Sequence, residues 1–149
     1  MYKHILIATD GSELAQRGVD HGLSLAKTLN AKVTIVTVTE PYPFYASAAG
    51  AGWVPLPVDT AAYEEGQKQL AAKVLDSAKQ AAAKIGIDAS VVHVDNAFPA
   101  EAIIETAKNG DCSLIVMASH GRRGLGRLIL GSETSEVLAH SPLPVLVVR

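Results

Sequence analysis

Four short runs of the chain are apolar at nearly every position: HILIA at 4–8, KVTIVTV at 32–38, SLIVMA at 113–118 and PVLVV at 144–148. Each is rich in β-branched residues and too short to be read as a helix. Apolar character that continues instead of alternating marks a strand covered on both faces, as in a parallel sheet. A fifth run, ASVVHV at 89–94, is more polar, as an edge strand would be.

Between these runs the apolar positions recur every three or four residues. Residues 13–29 place Ala15, Val19, Gly22, Ala26 and Leu29 on one helical face, and Asn30 suits the left-handed residue that stops a helix. The small side chains on that face predict close seating against a sheet. Residues 60–85 carry Ala71, Val74, Leu75, Ala78, Ala82 and Ile85 as a stripe, with Gly86 at the end. Gly66 weakens the first turns of that helix by about 1 kcal/mol relative to alanine. Pro99 can open a third helix with Ala102, Ile103 and Ala107 inward, and Ser132 can cap a fourth that runs to about His140 before SPLP stops it. The order βαβαβαβαβ predicts a single α/β domain over 1–149, a doubly wound five-stranded parallel sheet with right-handed crossovers. One segment breaks the rhythm. PYPFYASAAGAGWVPLP, at 41–57, is long for a strand-to-helix connection and reads as a flexible loop, either a lid or an insert without a site.

Composition narrows the partners. At 48% apolar and 19% charged, the chain reads as globular, and its net charge of −2 argues against a general nucleic-acid or anionic-membrane binder. A local basic patch remains in Arg122, Arg123 and Arg127. Cys112 is the single cysteine, which excludes an intramolecular disulfide and a cysteine-rich zinc site, and its place at the head of an apolar run suits a buried structural thiol. No apolar stretch approaches the roughly 20 residues that span a bilayer, and no N-terminal signal pattern precedes HILIA. The expected location is the cytoplasm.

The stretch after the run at 113–118, ASHGRRGLGRLILGSET, carries four glycines and three arginines where α/β proteins place phosphates. A Walker-type loop is absent, since no Gly-Lys-Ser/Thr occurs, and the first helix opens on DGSE with no Gly-x-Gly-x-x-Gly. What remains is Ala118-x-x-Gly121, nine residues, then Gly131-Ser132. A glycine at 121 lets backbone N–H groups approach phosphate oxygens. Gly131 and Ser132 would open the last helix, with its dipole and unpaired N–H groups toward an anion. The plainer alternative is that Gly121, Gly124 and Gly126 only build turns and Ser132 only caps.

This spacing resembles the Gly-x-x-Gly-x₉-Gly-Ser/Thr signature of the universal stress protein family, in its nucleotide-binding branch. The resemblance covers the whole chain: ILIATDGSE is similar to the opening strand and acidic turn, CSLIVMASHGRRGLGRLILGS to the fourth strand and phosphate loop, SPLPVLVVR to the closing strand. It implies a Rossmann-like sheet of order 3-2-1-4-5, of the adenine nucleotide alpha hydrolase-like kind. It implies ATP or another adenine nucleotide as ligand, with Mg2+ as a companion ion reached by Asp10 through water. The site residues it implies are Ala8, Thr9 and Asp10 at the end of the first strand and Val38 against the base at the end of the second. They continue with Met117, Ala118, Gly121, Arg122, Arg123, Gly131, Ser132, Glu133 and Thr134 around the phosphate loop. A homodimer through the closing strand follows from the same resemblance and from that strand's apolar, unblunted edge. Ala118 departs from the pattern, which has glycine there; alanine is strained at that point only if φ must be positive. As turn chemistry alone, Asp10 in DGS would be a simple turn former.

Hydrolysis needs an activated water, and near the loop only His120 and Glu133 could serve as a base. His120 precedes a glycine in a turn and reads as a structural hydrogen-bonder. Holding a nucleotide is favoured over cutting it, with no catalytic residue assigned. Three readings stand: a nucleotide-binding regulatory or stress-response module, a weak ATPase or self-phosphorylating protein with Ser132 as acceptor, and a member that binds no nucleotide and acts through protein clients.

Overall fold

The computed structural model describes residues 1–43, 45–48, 52–55, 59–121 and 130–149. In chain order the elements are β1 (His4–Ala8), α1 (Glu13–Leu29), β2 (Lys32–Val38), β3 (Tyr45–Ala48), β4 (Gly52–Pro55), α2 (Thr60–Lys84), β5 (Ala89–Val94), α3 (Pro99–Asn109), β6 (Leu114–Ala118), α4 (Ser132–His140) and β7 (Val145–Val148). Five strands form one parallel sheet in the order β5-β2-β1-β6-β7. Counted within that sheet alone, this is the order 3-2-1-4-5. The chain moves outward from β1 through β2 to β5, then returns across to β6 and β7 on the other side.

Alternation along the central strands divides the core in two. Ile5, Ile7, Val33, Ile35, Leu114 and Val116 face α1 and α2. Leu6, Ala8, Val36, Ile115 and Met117 face the other way, toward Ile103 and Ile104 of α3 and Val137 of α4. Burial of each such aliphatic side chain contributes about 1.5–3 kcal/mol.

The first helix seats as closely as its small residues predict. A Cβ on Gly22 would stand 2.7 Å from Ile7 Cδ1, and one on Gly18 would stand 3.3 Å from the backbone nitrogen of Ala118. Leu29 does not join that face; it is 40% exposed, because the helix ends there and Asn30 turns away at φ 51°. Ser132 is the first helical residue of α4 and not its cap: Gly131 holds the cap position, and no side chain caps the helix. At the base of the sheet, Ser113 ties β6 to β1. Its N–H and hydroxyl both donate to His4 O, at 2.8 and 3.0 Å, across 109 sequence positions.

The segment at 41–57 is more than a loop. It contains a two-stranded antiparallel hairpin, with Tyr45 opposite Pro55 and Ala48 opposite Gly52. Its alanine- and glycine-rich sequence lacks the alternation that announces a hairpin. The lid role considered for it rests on side chains outside the described residues. Among the described residues no helix is long and apolar enough to cross a membrane.

Candidate functional site

The loops after β1 and β6 diverge, because the chain leaves β1 toward β2 on one side and reaches β6 on the other. Crevices in open α/β sheets form at such reversals. Here the carboxyl ends of β1, β2 and β6 open into a cavity of about 470 Å³.

One wall is the turn after β1. Thr9 N–H still bonds Val36 O at 3.0 Å, so the sheet extends to that residue and Asp10 is the first to leave it. Asp10 Oδ1 accepts the Ser12 N–H at 2.9 Å, and Gly11 between them takes φ 77°, a conformation open to glycine at no steric cost. Ser12 then caps α1, its Oγ accepting Ala15 N–H at 3.2 Å.

The opposite wall is anchored through Ser119. Its N–H donates to Val148 O at 2.7 Å, and its carbonyl accepts the Gly131 N–H at 2.8 Å. These two bonds fasten the end of β6 to β7 and bring the start of α4 back to the cavity. Thr134, buried, donates its hydroxyl to Ala118 O at 3.0 Å and fixes the helix from inside. A Cβ on Gly121 would stand 2.6 Å from Asp10 Oδ2, so the two walls meet at that glycine. A Cβ on Gly131 would stand 3.3 Å from Ser119 O, so a valine there would strain the anchor as well as any ligand.

The structure thus brings the sequence-derived residues to one place. Ala8, Thr9 and Asp10 line the cavity from β1 and its turn, and Val38 from β2. Met117, Ala118 and Gly121 line it from β6 and its turn, and Gly131, Ser132, Glu133 and Thr134 from the start of α4. Arg122 and Arg123 lie outside the described residues. Ala118 is an extended residue of β6 paired with Val148, and the described non-glycine residues with positive φ are Asn30, Asn96 and Asp111. Alanine in place of glycine therefore carries no backbone strain.

Two features of the cavity were not read from the sequence, the lining from α2 and Phe98. On α2, Tyr63, Gln67 and Leu70 line it, continuing the helical spacing of the apolar stripe beyond Ala71. Tyr63 is met edge-on by Tyr42, with ring centroids 4.8 Å apart. Phe98 lines it from the N-cap of α3. His120, read from the sequence as a structural hydrogen-bonder beside the loop, lines it too, its Nδ1 paired with Ser119 Oγ at 2.9 Å, while its buried Nε2 has no hydrogen-bond partner among the described residues. The period of α2 could have announced Tyr63; nothing in a loop sequence announces Phe98. For Mg2+, no three His, Cys, Asp or Glu side chains among the described residues converge on a metal position.

With this geometry, comparison with known proteins is informative. The family model described as the universal stress protein family matches residues 1–149. The chain belongs to the universal stress protein family. Universal stress protein YxiE of Bacillus subtilis is 35% identical over 150 residues, covering 100% of both chains. Universal stress protein MJ0531 of Methanocaldococcus jannaschii is 34% identical over 151 residues, covering 100% of this chain and 83% of its own. Among solved structures, a universal stress protein in complex with cAMP superposes with a TM-score of 0.71 at 25% identity, over 99% of this chain and 97% of that one.

Proposed function

We propose that this universal stress protein binds an adenine nucleotide in the cavity between β1 and β6 and acts as a regulatory or stress-response module of the cytoplasm. The observation that carries this is the convergence of Asp10, Gly121 and the start of α4 on one cavity. A relative solved with cAMP supports the ligand class.

Each wall has its task. The Asp10 carboxylate, held by the Ser12 N–H, would accept ribose hydroxyls. A helix's first N–H groups find no partner within the helix, so those at the start of α4 would take phosphate oxygens, helped by the Ser132 hydroxyl. Val38 and Met117 would supply apolar contact to the base. Mg2+, where needed, would come bound to the phosphates, with Asp10 touching its waters. Holding remains favoured over cutting, with no residue assigned to activate a water in line with a phosphate. The open edge of β7 supports a homodimer; nucleic acid and membrane insertion are not part of the proposed function.

Native mass spectrometry of the purified protein tests the reading directly. We expect the added mass of one adenine nucleotide per chain, either retained or taken up on titration with AMP or ATP. Gly121→Ala would drive a methyl against Asp10 Oδ2 and should weaken binding about tenfold or more, with little change in melting because Asp10 is partly exposed. A wild-type chain that takes up no adenine nucleotide at millimolar concentration overturns the proposal.

A further inference from the structure

Phe98 is the cavity residue least explained by folding. It holds the N-cap of α3, yet its side chain accepts no hydrogen bond from the first turn, as Ser, Thr, Asp or Asn would. It is also 68% exposed, so burial does not account for a phenyl ring there. Its position is nevertheless well fixed. Thr39 N–H donates to Val94 O at 3.0 Å, and Thr39 O accepts the Ala97 N–H at 3.2 Å, which ties the turn before α3 to the end of β2. Phe98 is thereby carried to the strand end that bears Val38, and both line the same cavity.

We propose that Phe98 is the stacking face for the nucleobase. The inference rests on the nucleotide reading above and adds to it a residue that the family signature does not contain. A base offers a flat π surface on which an aromatic ring gains more than an aliphatic one of equal area. A bound base would also cover the exposed ring. Because every base has such a face, Phe98 supplies affinity for a base in general, and recognition of adenine falls to groups along its edge. The same ring borders a second, open groove beside Glu101 and Glu105, so a protein partner on that groove is the competing use of its exposure.

The test compares wild type with Phe98→Ala, Phe98→Leu and Phe98→Trp, each checked for an unchanged circular dichroism melt, by calorimetric titration with AMP and ATP. Phe98→Ala and Phe98→Leu should weaken both nucleotides about tenfold or more, while Phe98→Trp stays within about threefold of wild type. In proton NMR, the adenine H2 and H8 resonances of bound AMP should lie further upfield with phenylalanine or tryptophan at 98 than with leucine. Leucine binding as well as phenylalanine, or identical resonance positions in the two, overturns the stacking role and assigns the ring to the second groove. That result leaves the nucleotide reading standing, whereas a wild type that binds no nucleotide removes both.

Discussion

Ala118 and Cys112 show how much a single position depends on its surroundings. Ala118 replaces a glycine of the nucleotide-binding signature, yet as an extended strand residue it needs none of glycine's freedom. Cys112 lies at the head of the same apolar run and is buried against α3, its thiol directed to Gly110 O at 3.9 Å. Burial, helped by the charge of Asp111, pushes that thiol up to about 11. A thiol that keeps its proton is a poor nucleophile. We therefore expect Cys112 to resist iodoacetamide at pH 8 in the folded protein and to react fully in denaturant, read by intact mass. The linkage has a definite sign: the unfolded chain loses this proton first, so stability should fall as pH rises from about 9 toward 11. Of the candidate site, the sequence revealed what backbone geometry demands. Asp10 follows one buried run and Gly121 another, and such loops collect at one end of a parallel sheet. Phe98 escaped notice because its place in the cavity depends on how α3 is carried to the end of β2, which no local pattern encodes. Tyr63, by contrast, lay on the helical period of α2, which was not followed that far.

Among the elements, α1 is the most constrained. A methyl on Gly22 would meet Ile7 Cδ1 at 2.7 Å and Ile7 Cγ1 at 2.8 Å, and Ile7 is fully buried with nowhere to turn. Gly22→Ala should therefore destabilise the protein by about 1–3 kcal/mol, despite alanine's better helix propensity, as measured by urea denaturation. An unchanged midpoint would mean that α1 does not seat this closely. The five sheet strands and four helices were legible because each carries the hydrophobic period of its type over much of its length, α2 from Ala71 onward. The hairpin of β3 and β4 was not, since YASA and GWVP carry no alternation and few strand-forming residues. Leu29 was misplaced for a related reason: a helical period says nothing about the residue at which the chain turns away.

At the scale of the whole molecule, the proposed homodimer rests on β7, which lies at the edge of the sheet among the described strands. Pro144 and Val148 direct their carbonyls to β6, at Ile115 N and Ser119 N. Strand alternation then turns the N–H and C=O of Val145 and Val147 outward. Val147→Pro removes an outward donor and spares the bonds to β6, so it should convert the proposed homodimer to monomer without unfolding it. Light scattering at tens of micromolar checks this, and a wild type already running at 15.6 kDa would refute the dimer. The bonds from Ser113 to His4 have a consequence in time. At the roughly 5–20 residues per second of protein synthesis, the 109 positions between them correspond to a delay on the order of ten seconds. For most of that interval β1 and β2 have been made, but the flank of β1 that will receive β6 has no strand on it and is apolar. The nascent chain cannot complete its centre until nearly all of it has been made, so its hazard is greatest on the ribosome, where holdase chaperones would meet an unfinished sheet.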